Sequence, residues 1–135
     1  MAGYSGTPLA RKLGIKPGSR IHAISAPEEY RDWLAPLPEN VIFERHHGKA
    51  NCDIVHLFVA SQAALRRSLP NARLTIVPAG SIWVSWHKKS SGIATDVTEN
   101  IIRDLALETD LVDVKVCAVT DIWSGLKLVV RRHLR

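Results

Sequence analysis

Cysteine is scarce in this chain: two among 135 residues, Cys52 and Cys117, far apart in sequence. That excludes a disulfide framework. A chain of this length buries about two-thirds of its unfolded surface, so its core needs no covalent or metal staple. No apolar run approaches the ~20 positions that a membrane-spanning helix requires. Like charges never gather into blocks of five or six, which excludes a basic arm of the nucleic-acid-binding kind. Helix-turn-helix, zinc-finger and RNA-binding signatures are missing as well. So are a P-loop, a Gly-x-Ser-x-Gly nucleophile elbow and a recognisable pair of carboxylates. The start, Met1-Ala2-Gly3-Tyr4-Ser5-Gly6, has neither the charged nor the apolar segment of a secretory leader. The expectation is a cytoplasmic protein with two free thiols, each buried and inert in an apolar strand-like stretch.

What is present is ordinary for a globular protein, with 46% hydrophobic and 23% charged residues. One domain over residues 1–135 is expected, with 1–7 as a loose, small-residue arm. The net charge of +5 is spread over Arg11, Lys12, Lys16 and Arg20, over Arg66, Arg67 and Arg73, and over Arg131, Arg132 and Arg135. Spread in this way it reads as solvated surface, and a nucleic-acid partner is not expected.

Pro8 to Leu13 suits a short helix that Gly14 closes. Arg20 to Ile24 follows the turn Lys16-Pro17-Gly18-Ser19 as a strand. Ser25-Ala26-Pro27-Glu28 has the pattern of a capping box for a helix over about 27–35, with Tyr30, Trp33 and Leu34 facing inward. Val41 to Glu44 is a short strand, and His46 to Lys49 a loop. Asp53 to Ala60 is nearly all apolar, as in a central strand covered on both faces. Ser61 caps a helix through about Leu69, and 70–77 carries signals for both helix and strand, with helix preferred. Ser81 to Trp86 is a strand, and Asp96-Val97-Thr98-Glu99 a second capping box for a helix bearing Ile101, Ile102 and Leu105. Two alternating strands, Leu111 to Val119 and Leu126 to Arg132, close the chain as a hairpin. Strands alternating with helices until this last pair predict an α/β fold: a Rossmann-like three-layer sandwich, mainly parallel, with a C-terminal antiparallel hairpin.

This order, carried by "LGIKPGSRI", "CDIVHLFVAS" and "VPAGSIWVSW", resembles the fold of S-adenosylmethionine-dependent methyltransferases over nearly the whole chain. A closer resemblance is to a bacterial family of small proteins of unknown function. It rests on "GYSGTPLARKLGI", "HLFV", "WVSWHKKSSG", "DVTENIIRD" and "LVDVKVCAVTDIWSGLKLVVR". It implies the fold and no established activity. Where those relatives usually read Trp-Pro-Lys-Lys, this chain has Trp86-His87-Lys88-Lys89. The methyltransferase resemblance implies a glycine-rich turn after the first strand, because only glycine lets backbone approach a nucleotide closely. The turn here is Ser25-Ala26-Pro27-Glu28-Glu29. Glu44 stands at the end of the second strand, where the resemblance implies an acid that holds ribose hydroxyls. From Glu44 to Asp53 there is only a loop, where a full methyltransferase inserts helix, strand and helix. With that part of the cradle deleted, no cofactor is expected, S-adenosylmethionine included.

Ligands of open α/β sheets bind at the carboxyl edge of the strands. Lys88, Lys89, Ser90, Ser91 and Gly92 fall there, before the helix that Asp96 opens, and offer ammonium, hydroxyl and amide groups to an anion. The plainer alternative is a solvated loop whose Asp96 caps its helix. With Ser25 and Glu44, these residues make the candidate ligand site: Ser25, Glu44, Lys88, Lys89, Ser91 and Asp96. On the hairpin, Lys115 and Lys127 are placed to face Asp113. Lys115, Asp121, Trp123 and Lys127 form a candidate interaction surface, Trp123 serving either as an interface anchor or as a packing lid. An exposed tryptophan there would favour a homodimer.

His46, His47, Cys52 and His56 suggest a metal, but Cys52 and His56 lie about 13 Å apart along a strand. Zinc ligands sit within roughly 2.3 Å of the ion, so no metal site is expected. A histidine in an apolar strand, His56, is expected to have a shifted pKa. The functional expectation is a non-catalytic binding or regulatory protein with a small anionic ligand or a protein partner. The alternatives are a methyltransferase-like enzyme with a rebuilt pocket and a basic nucleic-acid-associated protein.

Overall fold

Strand β3 (Cys52–Phe58) is apolar at almost every position, and only Asp53 of it is exposed. Around this strand the computed structural model, which describes residues 7–45 and 49–135, lays a six-stranded sheet. β1 (Arg20–Ile24) and β4 (Ile76–His87) flank β3 in parallel, and the short β2 (Ile42–Phe43) extends the sheet beyond β1. On the far side β6 (Trp123–Val130) runs antiparallel to β4, and β5 (Leu111–Ala118) antiparallel to β6. The order is β2-β1-β3-β4-β6-β5. This is the mainly parallel sheet with an antiparallel terminal pair that the sequence predicts.

Helices cover both faces. α3 (Gln62–Thr75) and α4 (Glu99–Leu107) bury Leu65, Leu69, Ile102 and Ala106 against Val55, Leu57, Ile82 and Val84. On the opposite face α1 (Leu9–Lys12) and α2 (Tyr30–Leu34) pack Leu9, Tyr30 and Leu34 against Ile54, Phe58 and Trp83. Trp83 is fully buried, and its indole N–H donates to the Leu13 carbonyl at 3.1 Å, which anchors the end of α1 to β4. Among the described residues no helix is long and apolar enough to cross a membrane.

Local departures from the sequence reading have physical causes. The ambiguous 70–77 segment divides: α3 runs through Pro70 to Thr75, and β4 starts at Ile76. Pro70 lacks the N–H that would reach back one turn, while the Thr75 hydroxyl donates to the Asn71 carbonyl at 2.7 Å and supports the last turn. α2 begins at Tyr30, not near Pro27, and no side chain caps it. Ser25, read as the cap, adopts φ +60° in the turn after β1. The second capping box also shifts. Thr98 caps α4, accepting from the Ile101 N–H at 3.2 Å, while Asp96 accepts from the Gln62 N–H of α3 at 2.8 Å.

On β5 a bulge between Asp113 and Lys115 breaks the expected alternation. Asp113 pairs with Leu128 on the α4 face and binds Arg103, whereas Lys115 lies directly opposite Lys127. The lysines therefore face each other and not Asp113. His46, His47 and Gly48 of the expected loop lie outside the described residues.

Candidate ligand sites at the carboxyl edge

Ile24, which ends β1, and Arg45 line a cleft of about 400 Å³ against α3, and the candidate site residues touch two others. The first of these two, about 230 Å³, lies where β1 and β2 end and is lined by Ala26, Glu28, Tyr30, Arg31, Phe43 and Glu44. Arg31 lies over the Phe43 ring, 4.1 Å from its centroid. The Glu44 carboxylate accepts from Arg20 at 2.7 Å and from Asn51 at 3.3 Å. Small-molecule sites typically enclose about 300–1,000 Å³, so this cleft is undersized.

The second cleft, about 550 Å³, opens between the end of β4 and the start of α4. Trp86, Ile93, Ala94 and Val97 give it apolar walls, and His87, Lys89, Thr95 and Glu99 its polar groups. The chain over it is pinned. Thr95 donates its hydroxyl to the Ala60 carbonyl at 2.8 Å, and the Gln62 amide donates to the Asp96 carbonyl at 2.8 Å. The His87 ring packs against Trp123 at a 30° tilt, with ring centroids 4.0 Å apart. Burial lowers its pKa, and its Nδ1 is buried without a hydrogen-bond partner among the described residues. An unsatisfied buried nitrogen costs about 1–3 kcal/mol.

Between the clefts runs an aromatic wall from Trp33 through Tyr30, His56 and Phe58 to Trp123. His56 sits 2.9 Å from the Tyr30 hydroxyl through Nδ1 and 2.7 Å from Ser85 Oγ through Nε2. A neutral imidazole donates through one nitrogen and accepts through the other, and hydroxyls supply both. Burial pushes the His56 pKa down to about 3 and the Tyr30 phenol well above its usual range. All three side chains are buried, so Ser85 and His56 form no accessible nucleophile pair.

The sequence-predicted site residues do not converge. Glu44 lines the first cleft and Lys89 the second, and the two clefts share no lining residue. Ser25 is exposed in the turn beside the first. Lys88 is half-buried, its backbone N–H bonded to the Ile122 carbonyl at 2.7 Å. The Ser91 hydroxyl donates to the Lys88 carbonyl at 2.6 Å, and Asp96 joins α3 to the α4 lead-in. Of the hairpin residues Asp121 and Lys115 are exposed, Lys127 is half-buried, and Trp123 is a packing residue half-buried between Phe58 and His87. The sequence reading missed His87, Thr95 and Tyr30 as site-forming residues. The signals available were His87 standing where the relatives usually have proline and Thr95 preceding a helix start.

The thiols are both free. Burial raises Cys52 to about 11 and also raises Cys117. Among the described residues no three His, Cys, Asp or Glu side chains are grouped as a metal site would need.

No protein-family model matches the chain, and no curated protein matches it in sequence. Solved structures match its fold. The DhpI–SAH complex gives a TM-score of 0.63 at 10% identity over 91% of this chain and 82% of that one. A SAM-dependent methyltransferase from Aquifex aeolicus gives 0.60 at 10% identity over 90% and 88%. A ribosomal protein L11 methylase from Lactobacillus delbrueckii subsp. bulgaricus gives 0.57 at 10% identity over 92% and 76%. The chain thus has the Rossmann-like fold of S-adenosylmethionine-dependent methyltransferases. Identity at this level bears on fold alone, since one fold hosts many functions.

Proposed function

We propose that the chain is a non-catalytic cytoplasmic binding protein on a methyltransferase-like fold. It holds a small anionic ligand with an apolar body in the 550 Å³ cleft at the end of β4. The observation that carries this reading is the orphaned Nδ1 of His87 beside a cleft of ligand size. Trp86, Ile93 and Val97 suit an apolar body, and Lys89 at the mouth suits its charge. The cofactor position supports the same reading. The cleft beside Glu44 is small, Glu44 is drawn to Arg20, and the turn after β1 has no glycine.

A second reading, a methyltransferase with a rebuilt pocket, is favoured by the likeness to S-adenosylmethionine-dependent enzymes and by the left-handed backbone kept at Ser25. One experiment separates them: amide and indole NMR shifts with benzoate as an aromatic carboxylate probe, beside calorimetry with S-adenosylmethionine. The binding-protein reading expects saturable benzoate shifts at Trp86 and residues 87–98, weakened at least tenfold by Lys89→Ala, and no saturable heat with S-adenosylmethionine. Saturable S-adenosylmethionine binding with shifts at residues 23–31 overturns it in favour of the second.

A further inference from the structure

Another cleft, about 400 Å³, lies at the opposite, amino edge of the parallel strands. The loop between α1 and β1 supplies Lys16 and Ser19, β3 supplies Asp53, β4 supplies Ser81 and β6 supplies Lys127. Like charges placed directly opposite each other in an antiparallel pair destabilise it, yet Lys115 and Lys127 hold that register. Neither they nor Lys16 form a salt bridge with a carboxylate among the described residues. Lys127 is half-buried, and burial followed by the charges of Lys115 and Lys16 lowers its pKa. The carboxylate among the lining residues, Asp53, is turned to the Arg20 backbone N–H, which it accepts at 2.8 Å. Ser81, only 7% exposed, also lines the cleft.

Two of these ammonium groups, Lys16 and Lys127, line a polar cleft, and Lys115 adds its charge from the strand position opposite Lys127. We propose that this amino-edge cleft binds the phosphate group of a small phosphate monoester. Lys16 and Lys127 hold the phosphate, Lys115 reinforces the positive field from the strand position opposite Lys127, and Ser19 and Ser81 face the hydroxylated remainder. The cleft is of small-molecule size, and two lining ammonium groups backed by a third suit a dianion better than a monovalent carboxylate. The site is independent of the carboxyl-edge cleft and shares no residue with it.

The test is thermal unfolding of the full chain in inorganic phosphate, glycerol 3-phosphate and chloride at matched ionic strength. Both phosphates should raise Tm saturably above chloride, with glycerol 3-phosphate effective at a concentration several-fold lower. Lys127→Gln should have a higher Tm than the parent in chloride, because a repulsion is relieved, and should lose at least tenfold in apparent phosphate affinity. Arg132→Gln, an equal change of charge at the exposed tail, should keep the full phosphate response. A response no greater than that to chloride overturns the proposal, as does one that survives Lys127→Gln intact. Neither result bears on Lys89 or the carboxyl-edge cleft.

Discussion

His56 Nε2 lies 2.7 Å from Ser85 Oγ, and both side chains are fully buried. The bond ties β3 to β4 at the centre of the sheet, and the Tyr30 hydroxyl on the other side of the ring ties α2 to the same point. A polar network in an apolar core is stabilising only while every member is satisfied. Ser85→Ala or Tyr30→Phe leaves an imidazole nitrogen unpartnered and should cost about 1–3 kcal/mol in urea unfolding. Replacing His56 itself with Gln, which retains donor and acceptor groups, should cost less than Ser85→Ala and Tyr30→Phe together.

The same histidine sets a pH dependence. Its folded pKa, about 3, lies below its ordinary 6.5, so between those values the unfolded chain binds the extra proton. The neutral ring's contribution is complete above pH 6.5 and is lost as pH falls towards 3, by up to about 1.4 kcal/mol per pH unit. The titratable group in contact with it, Tyr30, stays protonated throughout. Urea midpoints measured from pH 7 to pH 4 should fall steeply in the parent and more gently in His56→Gln. Parallel slopes would show that His56 is not the group responsible.

Asp96 makes its strongest bond to the helix before it in sequence. Its carboxylate takes the Gln62 N–H at 2.8 Å while Ser61 takes the Ala64 N–H at 3.1 Å, so two orphan donors of α3 are satisfied. Asp96→Ala should lower stability by about 0.5–2 kcal/mol, and Asp96→Asn, which keeps an acceptor, by less. Because the Gln62 side chain returns a bond to the Asp96 carbonyl, Gln62→Ala should couple to Asp96→Ala in a double-mutant cycle. Additive losses would mean that the two bonds act separately.

Gly80 is fixed by close approach. A Cβ there would stand 2.9 Å from the Asp53 carbonyl oxygen and 3.0 Å from that of Val77. Both neighbours are backbone, so neither can turn aside. Gly80→Ala should cost about 1–3 kcal/mol in thermal or urea unfolding. It should also disturb the amide signals of residues 52–54, whose pairing with β4 shifts register there.

Period and composition made most of this fold legible. The apolar run of β3, the alternation of strands with helices and the closing hairpin specify the sheet. Partners distant in sequence were not legible. Asp96 and Glu99 have capping-box spacing, but Gln62 competes for Asp96 from across the fold, and Thr98 takes over the cap. The alternation of β5 concealed a bulge, which sends Asp113 to Arg103 and leaves Lys115 facing Lys127. The residues of the candidate ligand site all follow strand ends, which in sequence suggests one locus. Those ends open on different clefts, separated by the aromatic wall around His56.

Ser25 turns the chain after β1 with φ +60°, a conformation that glycine adopts freely and other residues adopt at a cost of roughly 1–2 kcal/mol. Strain of this kind persists where the surroundings hold it in place, and here the turn walks the chain into the cleft beside Tyr30. Ser25→Gly removes the steric cost but adds backbone entropy to the unfolded state, so its stability should stay within about 1 kcal/mol of the parent. A β-branched side chain suffers most in this region. Ser25→Val should therefore lose about 1–2 kcal/mol relative to Ser25→Gly in urea unfolding. Equal stabilities for the two variants would mean that the turn relaxes out of the left-handed region in solution.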